Sequence, residues 1–142
     1  MHIRPAAPAD APALAALMAH LGYPADAQAI ASRLAILDAR TDIATFIADT
    51  DTGIAGVIGL QVSPVLYRDD PNGAITALVV SPDFRGRGVA ARLVAHGERW
   101  LVDHGATRAS VMPSTHRADA HRLYERLGYT ATGTRFTKSL GQ

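Results

Sequence analysis

The 142-residue chain contains no cysteine, which removes disulfides, thiolate metal sites and a cysteine nucleophile together. The same absence suits a reducing compartment, and a cytoplasmic protein is expected. An excess of charge is missing too. With a formal net charge of +1, no broad basic face for nucleic acid or an anionic membrane is expected, so any anion site has to be local. Long apolar runs are scarce. The opening "MHIRPAAPADAPALAALMAH" is rich in alanine, but Asp10 and three prolines interrupt it before a signal-like stretch forms. No later run approaches a membrane span. Histidines at metal-binding spacing are also lacking: His116 and His121 are five apart and His96 and His104 eight apart, neither pair falling on one helix face. No metal site is expected.

What is present is enough apolar residue, 48% of the chain, for one domain spanning residues 1–142 with a core of its own. "HIRPA" alternates as a short strand, and Pro8 to Asp10 offers a helix start before Leu14, Leu17, Met18 and Leu21. A second helix is expected from Ala25 to Leu37. "IATFIAD" and "GIAGVIGLQVS" are β-rich runs joined by the turn former "TDTG". "AITALVV" is almost continuously apolar, as in a strand covered on both faces. A helix follows through Val89, Leu93, Val94, Trp100 and Leu101, then a strand at "TRASVMP", a helix from Ala118 to Leu127 capped by Gly128, and a last strand at "GTRFTKSL". The order predicts a mixed α/β fold with helices on both faces of a central sheet.

Between "AITALVV" and the third helix stands "SPDFRGRGVA". Glycine inside a helix costs roughly 0.5–1 kcal/mol relative to alanine, so two of them at a helix entrance, Gly86 and Gly88, want a reason. A strand that runs into a glycine-rich turn and a helix N-terminus leaves several N–H groups pointing one way, which is an anion site. Arg85 and Arg87 add planar donors that fit phosphate oxygens. The local pattern alone fits equally a glycine-rich loop beside two solvated arginines. Neither GxxxxGK[ST] nor GxGxxG occurs here.

Arg85-Gly86-Arg87-Gly88-Val89-Ala90 resembles the [RQ]xxGx[GA] signature of the GNAT superfamily of acyl-CoA N-acyltransferases. "RADAHRLYERLGY", Arg117 to Tyr129, is similar to that family's second marker, a helix of the form AxxxYxxxG followed by an aromatic residue. The resemblance runs from about Ile75 to Leu140. It implies a mostly antiparallel mixed sheet whose fourth and fifth strands splay apart around acetyl-CoA. Backbone groups of Leu78, Val79 and Val80 would then meet the pantetheine arm as an added strand would, and the amides from Arg85 to Ala90, with those of Gly86, Arg87, Gly88 and Val89 between, would receive the pyrophosphate. Tyr124 would protonate the departing CoA thiolate, since an ordinary tyrosine is protonated at neutral pH. The alternative for Tyr124 is plain packing, because Ala120, Leu123 and Leu127 share its helix face.

Two departures from the family pattern stand out. Many members carry a carboxylate base on the fourth strand, whereas Ile75 to Val80 hold none; Asp69, Asp70, His20, His116 and Asp119 are the candidates that remain. Arg117 occupies the place of a common cofactor-binding asparagine. The implied function is transfer of an acetyl group from acetyl-CoA to a small-molecule or protein amine, with His20, Gly22, Tyr23 and Pro24 on the acceptor side. A non-catalytic acyl-CoA-binding module is the alternative. Family relatives are often dimers, so a homodimer is part of the implication, while a nucleic-acid role for Arg85, Arg87, Arg92 and Arg99 lacks aromatic partners.

Overall fold

The computed structural model describes residues 1–111, 118–133 and 136–141. The chain divides into two compact units, Met1–Met112 and Pro113–Gln142. In the first, β1 (His2–Pro5) leads through a 3-10 turn (Pro8–Asp10) into α1 (Ala11–Leu21), followed by α2 (Ala27–Asp38), β2 (Ile43–Thr50), β3 (Gly53–Ser63), β4 (Asn72–Val80), a second 3-10 turn (Pro82–Phe84), α3 (Val89–Asp103) and β5 (Ala109–Val111). The second unit contains α4 (Ala118–Arg126). The mixed α/β reading therefore holds in kind and order through α4. The strands lie in sequence order, antiparallel except for the parallel β4–β5 pair.

Residues two apart on a strand share a face, and β3 shows how both faces are used. Val57 joins Ile47 and Val79 in a core closed by Leu14 and Leu17 of α1 and Ile30 and Leu34 of α2. On the opposite face, Ile58 and Leu60 lie against Gly97 of α3, where an added Cβ would come within 2.8 Å of a Leu60 methyl. Glycine at 97 thus sets how closely α3 approaches the sheet.

The expected last strand is not found. Phe136–Leu140 form no strand, Phe136 and Leu140 are exposed, and Thr134 and Arg135 lie outside the described residues. Alternating apolar residues favour a strand only where a neighbouring edge takes the backbone hydrogen bonds, and among the described residues no ladder reaches this segment.

β1 is fastened by a polar contact that no local pattern announces. Arg4 donates two hydrogen bonds of 2.9 Å to the carboxylate of Asp10 and one of 3.0 Å to Asp49 on β2, while Asp10 also accepts the Ala7 N–H at 2.7 Å. Asp10 is buried, and its hydrogen bonds from Arg4 hold its carboxyl below the usual range despite the cost of desolvation. Asp10→Ala strands the Ala7 amide and leaves Arg4 with only the Asp49 carboxylate and the Pro5 carbonyl, at an expected cost of about 2 kcal/mol. Urea unfolding should show a lower midpoint with an unchanged slope. Because the folded value is depressed, this stabilisation is complete above about pH 4 and is withdrawn as pH falls through the folded value; the variant's deficit should shrink accordingly in acid.

Candidate functional site

β4 delivers the chain to the site. On one side it pairs with β3 along its length, Val80 opposite Gly56, Val79 opposite Val57 and Leu78 opposite Ile58. On the other, the described ladder with β5 covers only Gly73, Ala74 and Ile75. Among the described residues, the backbone from Thr76 to Val80 therefore has one unpaired edge. The β3–β4 register shifts between Gly59 and Leu60, which face Ala77 and Ile75 respectively, so Thr76 is the extra residue of a bulge. Bulges bend a strand and end pairing, and they recur beside active sites.

Beyond Val80, the Ser81 N–H donates to Ala55 O at 2.8 Å and the Phe84 N–H to Ser81 O at 2.9 Å, which tethers the turn to β3. Arg85 is extended, at φ −64° and ψ 148°. Gly86 and Gly88 then take φ of +77° and +75°, the left-handed region that a β-carbon disfavours. An added Cβ at either would meet nothing within 4 Å. The glycines are thus required by backbone conformation rather than by crowding within the protein. Gly88 caps α3 without a side-chain hydrogen bond.

The first intrahelical bond of α3 runs from the Arg92 N–H to Gly88 O. The amides of Val89, Ala90 and Ala91 consequently have no acceptor within the helix and project from its positive end. Val89 is buried, beside Gly56, and fixes this helix mouth against the sheet. Arg87 sits with its guanidinium 5.4 Å from the Phe84 ring centroid, within cation–π range, and Arg85 is exposed. The structure thus brings Leu78, Val79, Val80 and the segment Arg85–Ala90 together as one open strand edge and one anion-receptive helix start.

Tyr124 lies on α4 in the second unit, 8% exposed, with its ring edge-on to Tyr129 at 5.9 Å between centroids. Burial pushes its phenol up to about 12, so it remains a proton donor at any ordinary pH. The helix ends as expected at Gly128, whose φ is +93° and whose N–H donates to Glu125 O.

The candidate bases separate. The Asp70 carboxylate takes two hydrogen bonds of 3.1 Å from Arg68 and another from the Thr107 hydroxyl. These hold it down to about 2, too weak a base to deprotonate an amine. Asp69 and His20 are exposed. His116, Arg117 and the side chain of Asp119 lie outside the described residues. Among the described residues no group of three His, Asp or Glu side chains could hold a metal, and no helix is long and apolar enough to cross a membrane. The sequence reading missed the bulge at Thr76; its only local signal is one hydroxyl within an apolar run.

Residues 15–129 match the model of the acetyltransferase (GNAT) family. The chain is 36% identical over 87 residues to an aminoalkylphosphonate N-acetyltransferase of Salmonella typhimurium, a match covering 61% of this chain and 56% of that one. With a type 1 aminoglycoside N(6')-acetyltransferase of Salmonella typhimurium it shares 30% identity over 121 residues, 78% of this chain and 77% of the other. The chain spans little more than half the length of several curated relatives it matches. A solved aminoglycoside N-acetyltransferase in complex with CoA superposes with a TM-score of 0.86 over 98% of this chain and 93% of its own, at 20% identity; that likeness is one of fold. The family match agrees with the open β4 edge and the glycine-bent start of α3: the chain belongs to the GNAT acetyltransferase family.

Proposed function

We propose that the chain transfers an acetyl group from acetyl-CoA to an amine by direct attack in a ternary complex, with residues 1–142 acting as one catalytic domain. The observation that carries this reading is the run from a β4 edge that is unpaired among the described residues straight into the open amides of α3. An extended pantetheine arm adds to Leu78, Val79 and Val80 as a further strand, and the pyrophosphate takes the amides of Arg85–Ala90 with Arg85 and Arg87 as counter-charges. The amine lone pair attacks the thioester carbon, the C–N bond forms, the C–S bond breaks, and the thiolate takes a proton from the Tyr124 hydroxyl, which water then reprotonates. The amine loses its extra proton to water, since β4 supplies no carboxylate and Asp70 is held ionised.

Small-molecule amines are the favoured acceptors, because curated relatives carry the names of enzymes acting on aminoalkylphosphonates and aminoglycosides; a protein amine is the second choice. A cytoplasmic location suits a chain without cysteine, and a homodimer is the assembly to test. Neither metal, nucleic acid nor membrane enters the reaction. The missing strand carboxylate favours one other reading, an acyl-CoA-binding module without turnover. A panel of amines incubated with acetyl-CoA, with free thiol as readout, decides between them. Acceptor-dependent thiol release is expected; tight acetyl-CoA binding with no release across the panel would establish the module.

A further inference from the structure

The sheet face beneath α1 and α2 changes character along its strands. In one row Ile47, Val57 and Val79 are paired across β2, β3 and β4 and belong to the apolar core. The next row is Thr45, Gly59 and Ala77, and the one after it Ile43, Gln61 and Ala74. Cross-strand partners share a face, so Thr45 and Gln61 stand on the same side as Val57. The bulge adds Thr76 to this side. Its Oγ1 lies 2.7 Å from where a Cβ on Gly59 would stand, and the Ala77 Cβ 3.7 Å from the same point.

Glycine at 59 therefore makes room for the Thr76 hydroxyl. Thr76 is exposed, unlike every other residue of β4, while Thr45 and Gln61 are half-buried. The result is a shallow floor of two hydroxyls and one carboxamide, set in small residues, directly beside a purely apolar row. Thr76 also lies where the described β5 ladder has just ended at Ile75. Counting back from Val80 it is four residues along the strand, about 13 Å at an ordinary strand rise. An extended arm anchored at the α3 mouth and running down β4 brings its thioester to this neighbourhood.

We propose that Thr45, Gln61 and Thr76 form the floor of the amine subsite, and that Thr76 Oγ1 positions the attacking amine by accepting one of its N–H bonds. This rests on the acetyl-transfer reading and deepens it. Threonine stays neutral throughout, so it orients the lone pair and takes no proton; the C–N and C–S changes are those given above, with the amine proton passing to water. The floor carries no charge. It suits an amine borne on a hydroxylated or amide-bearing skeleton, recognised by hydrogen bonds, and offers a polycation no counter-charge.

The test compares Thr76→Val, which keeps the shape and removes the hydroxyl, with Thr76→Ser, which keeps the hydroxyl. Steady-state thiol release is measured over amino alcohols and plain alkylamines of matched length. Thr76→Val should lower kcat/KM for the amine at least tenfold with the KM for acetyl-CoA within twofold, and Thr76→Ser should recover most of the loss. Gln61→Leu should shrink the preference for the hydroxylated amine over its plain analogue. Wild-type kinetics in Thr76→Val, or equal losses in both Thr76 variants, would overturn the positioning role while leaving acetyl transfer intact. No thiol release by the wild-type protein with any amine, despite acetyl-CoA binding, would overturn both.

Discussion

Gly88→Val should weaken acetyl-CoA binding by two orders of magnitude or more while the protein stays folded. Gly88 holds φ at +75° at the cap of α3, and a β-branched residue in the left-handed region is a genuine outlier costing about 1–3 kcal/mol. Nothing packs where the new side chain would begin, so the core has no part in the penalty. The loop has two responses: it keeps its conformation under strain, or it turns Gly88 out of the left-handed region. In the second case the amides of Arg87 to Ala90 rotate with it and no longer converge on one anion. Calorimetric titration with acetyl-CoA measures the loss directly, and a thermal melt within a few degrees of wild type shows that the fold survives. Gly88→Ala should fall between the two, since alanine carries the backbone strain with little of the bulk. Wild-type affinity in Gly88→Val would return the loop to the status of an ordinary turn.

The left-handed turn that opens α3 was legible in the sequence because it depends on backbone, and backbone demands appear as glycines. Gly86 and Gly88, alternating with Arg85 and Arg87, mark left-handed residues at a helix mouth, and the α4 stretch ending in Gly128 reads the same way. Thr76 was not legible. A bulge is a relation between two strands, and "AITALVV" read alone is one continuous buried run; only the register against Gly59 and Leu60 shows that one residue is extra. The Arg4, Asp10 and Asp49 contact was hidden for a similar reason, joining residues up to 45 positions apart. Asp70 stood beside Asp69 as a candidate base before the strand. Its meaning reversed once Arg68 and Thr107 were seen to hold its carboxylate. The segment "GTRFTKSL" shows the opposite failure, with strand-like alternation and, among the described residues, no ladder to join.

Tyr124→Phe should lower kcat by about a hundredfold or more, the range of a lost general acid, with the affinity for acetyl-CoA within twofold of wild type. The substitution removes one oxygen from a ring that is 8% exposed and keeps its edge contact with Tyr129, so packing is preserved and stability changes little. Burial holds the phenol up to about 12, which has two consequences of opposite use. A weaker acid gives up its proton less readily, so it must lie within hydrogen-bond reach of the sulfur as the C–S bond breaks. In return it stays protonated through the whole working range, and turnover of the wild-type enzyme should show no alkaline limb from this group below about pH 11. Since the folded value lies above the ordinary tyrosine value, the associated stability is fully present below about pH 10 and is lost as pH rises toward 12; the Phe variant lacks that loss. Unchanged kcat in Tyr124→Phe would assign the ring to packing and leave the thiolate to be protonated by water, which an ordinary thiol pKa of about 8.5 permits.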